Sequence, residues 1–302
     1  MLSSTATSNV FHRTQGSPVR KIAFHEELAI WVTADSERIL RAWDHRGELI
    51  WENDFRALCS RDRAVEIVRD LVFDSAGEAL YATCGSTLHR LDARSGRVEW
   101  EWEGAQVVGF RNSMPQHLAA LPDGSVITST DTGVFVRFGR QGEILQQREF
   151  NEVPKNFVFW PERGEIVGSD GYSLSRWDAA TLQLKELQRL GEPVYGFAFD
   201  PHRAQVALRF LDRVHWWTLG QPDRAQTWTC RPGLPLVQWA QSGEVLAVTH
   251  EHGLDWVSRA GACIESTDLP ERVVSLGAFS QGHRVAVGTS EGKIVTPTVP
   301  KA

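Results

Sequence analysis

Cysteine is scarce and scattered. The four residues, Cys59, Cys84, Cys230 and Cys263, form no CxxC pair and show no cysteine–histidine spacing of the zinc type. A zinc ribbon and a disulfide framework are both disfavoured, and free thiols in a reducing compartment are expected, which places the protein in the cytoplasm. Long apolar runs are missing too: no stretch reaches 18 apolar residues, and the opening MLSSTATSNVFHRT carries no apolar h-region. Neither a spanning helix nor export is expected. Lysine is rare, only five of the 32 basic residues, the remaining 27 being arginine, and the formal net charge is −6. An acidic balance of this kind argues against nucleic acid or an anionic membrane as a partner. GxSxG, HExxH and the phosphate-binding P-loop pattern are all absent, so the hydrolase and nucleotide chemistries those motifs support find no foothold.

What the 302 residues do contain is tryptophan and phenylalanine, 12 and 14 respectively, against three tyrosines and two methionines. Their placement is periodic. A bulky residue closes a short apolar stretch just before a turn at Phe24, Phe73, Leu121, Trp160, Phe199, Trp239 and Phe279, at intervals of 49, 48, 39, 39, 40 and 40 residues. A second apolar stretch follows each anchor (LAIWVTAD, EALYATCG, SVITSTD, EIVGSD, AQVALRFL, EVLAVTH, RVAVGTS). A third follows that, ending on Trp43, Leu91, Phe138, Trp177, Trp217, Trp256 and, weakly, Val295. A turn such as DHRGE or DARSGR then leads to a fourth, more polar strand.

Four short strands in each 40-residue period, seven times over, predict an all-β, seven-bladed β-propeller with four-stranded antiparallel blades. The expected blades are 17–55, 65–104, 114–152, 153–192, 193–231, 233–270 and 272–299, in a single domain over 1–302. A four-stranded blade cannot bury both faces alone, so the tryptophans are assigned to stacking between neighbours. The seventh period runs out of chain after its third strand. Residues 8–14, which have no period of their own, are expected to supply the missing strand and close the ring.

The Trp43-Asp44 and Trp177-Asp178 dipeptides, with Leu91-Asp92 as a weaker copy, make the chain resemble the WD-repeat propellers over nearly its whole length. The Gly-His dipeptide of that family is missing ahead of the first strand of every blade, as is a regular Asp six residues before each Trp. The likeness is therefore to a divergent, bacterial sort of WD-like or quinoprotein-like propeller. The quinoprotein side enters through HRGELIW and DARSGRVEW, where Gly47–Trp51 and Gly96–Trp100 keep a spacing that in those repeats docks the tryptophan on the next blade. No vicinal cysteines accompany them, and no cofactor is expected.

The resemblance implies a protein-interaction scaffold, without catalysis, that presents a loop-rich face to a protein or peptide. Carried onto this chain it points to Arg20, Arg69, His117, Asn156 and Tyr195 beside the innermost strands. It adds Tyr172 and Arg213 in the loops between second and third strands. Arg and Tyr at a rim are the types enriched in binding hot spots. Two connections exceed the period, 52–67 and 103–117. The first carries Arg56 and Arg61 and has Phe55, Leu58 and Cys59 at helical spacing. The alternative is a small-molecule or metal-dependent, lactonase-like hydrolase using the central channel. The positions four before each anchor (Arg20, Arg69, His117, Asn156, Tyr195, Pro235, Ser275) contain no carboxylate, which disfavours a hard metal there. His250-Glu251-His252 is the most ligand-like local cluster, and a solvated loop is its plainer reading.

Overall fold

The computed structural model describes residues 9–13, 16–56, 67–104, 114–150, 154–240, 243–278, 285–297 and 299–300. They form 28 strands, β1 to β28, arranged as seven four-stranded antiparallel sheets. This is the blade pattern of a seven-bladed β-propeller, the fold class that the 40-residue period predicts. No helix among the described residues is long and apolar enough to cross a membrane.

The chain groups into two compact units, Ala23–Pro193 and the combination of Met1–Ile22 with Val194–Ala302. The Ala23–Pro193 unit holds four sheets, over residues 19–54, 68–103, 115–149 and 156–189, apart from the start of β2 (Val19–His25). The other unit holds one sheet over residues 196–229, a second over 237–268, and a third in which β1 is followed by β28, β27 (Val285–Thr289) and β26 (Val273–Ala278). In that last sheet β1 (Asn9–Arg13) runs antiparallel to β28 (Lys293–Thr296), with Val10 opposite Val295. The N-terminal strand thus completes the last blade, as the missing fourth strand predicts.

Burial within a blade follows strand position. The second strands are buried throughout: β3 (Ile30–Asp35), β7 (Ala79–Cys84), β11 (Val126–Thr130) and β15 (Glu165–Ser169). The fourth strands β13 (Ile144–Glu149) and β17 (Leu184–Arg189) are mostly exposed. A strand covered on both faces reads as a continuous apolar run, and an outer strand as a polar one. Ten of the 12 tryptophans are buried and Trp100 and Trp228 are half-buried, so the aromatic excess is spent on packing.

Two of these tryptophans show how successive blades lock together. Trp51 on β5 (Leu49–Asp54) donates its Nε1–H to the Ala93 carbonyl at 3.1 Å and lies flat against Gly96 in the turn after β8 (Thr87–Asp92). Trp100 on β9 (Val98–Glu103) repeats this one blade on, donating to the Arg140 carbonyl at 2.9 Å and covering Gly142. Both glycines have positive φ, +70° and +85°. Only a residue without Cβ gives the indole room and takes that backbone cheaply.

One expectation is corrected. Cys230 and Cys263 are free, but Cys84 is disulfide-bonded, to a partner outside the described residues. Scattered positions cannot distinguish a bridged thiol from a free one, because pairing depends on which Cβ atoms the fold brings together. The thiol argument for a reducing compartment therefore rests on two residues, not four. The helix expected around Phe55, Leu58 and Cys59 falls largely on residues 57–66, outside the described residues.

Candidate functional site

The Ala23–Pro193 unit contains an open cleft of about 670 Å3 where the loops of its third and fourth blades meet. One wall is β10 (Pro115–Ala120), which contributes Gln116 and His117, and the end of β11, which contributes Ser129 and Thr130. The turn 131–133 adds Asp131, Thr132 and Gly133, and the end of β13 adds Glu149 and Phe150. Lys155, just before β14 (Asn156–Trp160), and Asp170 and Tyr172, in the turn before β16 (Ser173–Asp178), complete the rim.

Local hydrogen bonds fix these groups. The Asp170 carboxylate accepts the N–H groups of Tyr172 and Ser173, both at 2.7 Å, an Asx turn that lifts the Tyr172 ring into solvent at 59% exposure. Asp131 Oδ1 accepts the Met114 N–H at 2.7 Å. The Phe150 N–H donates to the Gly133 carbonyl at 2.8 Å, holding that ring on the wall against Phe135. His117 sits 3.5 Å from Asp70 on β6 (Val68–Phe73), and Asp70 also accepts the Leu118 N–H at 2.9 Å. Asp70 therefore clamps β6 to β10 and orients the imidazole.

Of the residues expected from sequence, His117 and Tyr172 line this cleft together. Arg69 joins it at one remove, donating from Nη1 to Oε1 of the cleft residue Gln116 at 3.3 Å. Asn156, half-buried, pairs with Ser169 beside it. Arg56 is exposed and held by both oxygens of Asp54, at 2.9 and 2.6 Å. Arg61 lies outside the described residues, as does most of each long connection (57–66 and 105–113). Arg20, Tyr195 and Arg213 belong to the other unit. There Arg20 and Tyr195 are exposed, and Arg213 stacks on Phe210 at 4.9 Å while its Nη1 donates to Asp212 at 2.8 Å.

Sequence reasoning missed Ser129, Asp131, Glu149, Phe150 and Asp170. A signal existed for two of them: second strands SVITSTD and EIVGSD both end on Asp, as LAIWVTAD does at Asp35. An alternating polar strand end gives no such mark for Glu149.

The second unit has a charged cluster of a different character. Asp255, almost fully buried, accepts the Arg231 guanidinium (Nε–H to Oδ2, 3.0 Å) and the Ser266 hydroxyl at 2.6 Å. His250 is buried beside Arg231, 2.7 Å from Nη2, whereas His252 is exposed. Burial, and then the Arg231 charge, push the His250 pKa down. The HEH segment is thus split between a packed imidazole and an exposed one, not a solvated loop throughout. Among the described residues no three His, Cys, Asp or Glu side chains are grouped to hold a metal. Nearby, burial pushes the Cys230 thiol up to about 11.

No protein-family model matches the chain. A curated human protein, WD repeat-containing protein 90, is 26% identical over 237 residues, which cover 70% of this chain and 13% of that protein. The chain therefore matches only a small part of that relative's length. The seven four-stranded sheets are those of a β-propeller, and in sequence the chain is similar to a WD repeat-containing protein.

Proposed function

We propose that the protein is a non-catalytic interaction scaffold that receives a protein or peptide partner on the loops of its third and fourth blades. The observation that carries this is the cleft itself, in which His117 and Tyr172, two of the residues expected from sequence, face one space of about 670 Å3. The volume lies in the range of ordinary ligand clefts, with an exposed aromatic at the rim and convergent polar groups inside. The blades supply stiffness: second strands are buried on both faces and the turns are pinned by Asx bonds, so little ordering is needed on binding. Similarity to a WD repeat-containing protein supports the same reading at the level of the family.

The test is affinity capture with the full chain as bait, wild type against Tyr172→Ala, followed by reconstitution with the purified partner and titration calorimetry. A stoichiometric partner whose affinity falls at least tenfold in the variant, with unchanged circular dichroism, is the expected result. If every stoichiometric partner binds the variant as it binds the wild type, the cleft is not the docking site.

A further inference from the structure

We infer that the occupant of this cleft is a basic side chain, lysine or arginine, carried by a peptide segment of the partner. The inference deepens the scaffold reading and depends on it.

Charge is the first argument. Three carboxylates line the cleft, Asp131, Glu149 and Asp170, against one ammonium, Lys155. Among the described residues none of the three carboxylates is in an ion pair. Three aspartates elsewhere in the chain offer a contrast. Asp35 stands at the end of its second strand as Asp170 does, and each accepts two backbone N–H groups of the following turn. Asp35, however, also receives the Arg41 guanidinium of its own blade at 2.6 Å. Asp255 receives Arg231, and Asp123 receives Arg137 at 2.5 Å. Each of these three aspartates is met by an arginine of the chain itself; in the cleft that place is left to an outside group.

The second argument is independent of charge. Ser129 is 1% exposed and lines the cleft, yet its Oγ has no hydrogen-bond partner among the described residues. In the second, fourth and sixth blades the hydroxyl at the same position, opposite a leucine of the third strand, is internally satisfied. Thr83 Oγ1 accepts the Asp70 N–H at 3.0 Å, Ser169 Oγ accepts the Gly171 N–H at 3.1 Å, and Thr249 Oγ1 accepts the Leu236 N–H at 3.1 Å. A buried hydroxyl left without a partner is costly, and such groups in native proteins call for an explanation. An ammonium or guanidinium entering between Asp131 and Glu149 would donate to it.

The walls fit the same ligand. Phe150 and the exposed Tyr172 offer apolar surface for the methylene stem of a long cation, which buries its carbons while its head reaches the acids. Aromatic faces also attract the cation directly.

The experiment is selection of a displayed library of random short peptides on the full chain, followed by calorimetric titration of the enriched peptides. Basic peptides should be enriched, and Glu149→Gln should weaken them roughly tenfold, the scale of one charge-assisted hydrogen bond. Ser129→Ala should also weaken them while leaving the melting temperature unchanged, since it removes no internal bond. Lys155→Gln should strengthen them. Enrichment of acidic or neutral peptides that Tyr172→Ala releases would overturn the basic-side-chain inference and leave the docking cleft standing. Enriched peptides indifferent to Glu149, Ser129 and Tyr172 alike would overturn both.

Discussion

Replacing Gly96 by alanine isolates the lock between the first and second blades. Two costs are separable. At φ +70° an L-residue other than glycine loses about 1 kcal/mol. The new methyl would also stand 2.6 Å from the Trp51 indole. The indole cannot swing away freely, because it is 8% exposed and its Nε1–H is bonded to the Ala93 carbonyl. Overpacking of this kind costs about 2 kcal/mol. The sum, about 3 kcal/mol, corresponds to a fall of about 6–12 °C in Tm for a unit of this size.

Gly164→Ala is the matched control. Its φ is +58°, in the same unit, but no atom lies within 4 Å of the added Cβ. It should cost about 1 kcal/mol, the backbone component alone. Urea titrations followed by circular dichroism compare the two, with Trp51→Ala and the Trp51→Ala/Gly96→Ala pair completing a cycle. The reasoning requires a coupling of about 2 kcal/mol between Trp51 and Gly96. If Gly96→Ala and Gly164→Ala cost the same, or the cycle is additive, the indole is not what the glycine accommodates.

Acid sensitivity should come in part from His89, which is fully buried and whose pKa burial lowers to about 4. The unfolded chain then binds more protons than the folded one between pH 6.5 and 4, so stability is lost as pH falls through that window, by roughly 3 kcal/mol at its lower end. His89→Phe should flatten the urea midpoint against pH between 7 and 4.5; an unchanged slope would refute this. Arg231→Ala leaves the buried Asp255 carboxylate with the Ser266 hydroxyl but no guanidinium, and should destabilise by about 3 kcal/mol, while Arg231→Ala/Asp255→Asn recovers much of it. A double variant no more stable than the single one in denaturant would speak against that account. Iodoacetamide at pH 8 should label the exposed Cys263 well before Cys230, whose thiol is held protonated by burial; peptide mass mapping over time reads the order, and faster labelling of Cys230 would reverse it.

The anchors and their 40-residue spacing are local facts, and each blade is a local object: strand, turn, strand, turn. For that reason the seven sheets, the buried second strands and the polar fourth strands were legible in the sequence. The segment DARSGRVEWEWEG (92–104), which leads into the second long connection, shows the limit. Its Gly96 and Trp100 read correctly as parts of a lock, but the contact that each makes, Gly96 with Trp51 and Trp100 with Gly142, joins residues more than 40 apart. The same holds for the cleft. His117 and Tyr172 were legible because the repeat places one on an innermost strand and the other in a loop between second and third strands, whereas Glu149 looks like any polar strand end and Ser129 like any small residue in a buried strand.

Sequence by itself therefore determined the repeating unit, its number and the strand that completes the last blade, because strand periodicity and turn chemistry act over a few residues and recur. Only the tertiary structure decided which carboxylates share a space, that Cys84 is bridged, and that Ser129, unlike its counterparts in the second, fourth and sixth blades, lacks a partner among the described residues. Those outcomes depend on how one blade's loops meet the next, and on whether a charge or hydroxyl finds its complement across that gap. No periodicity along the chain encodes them.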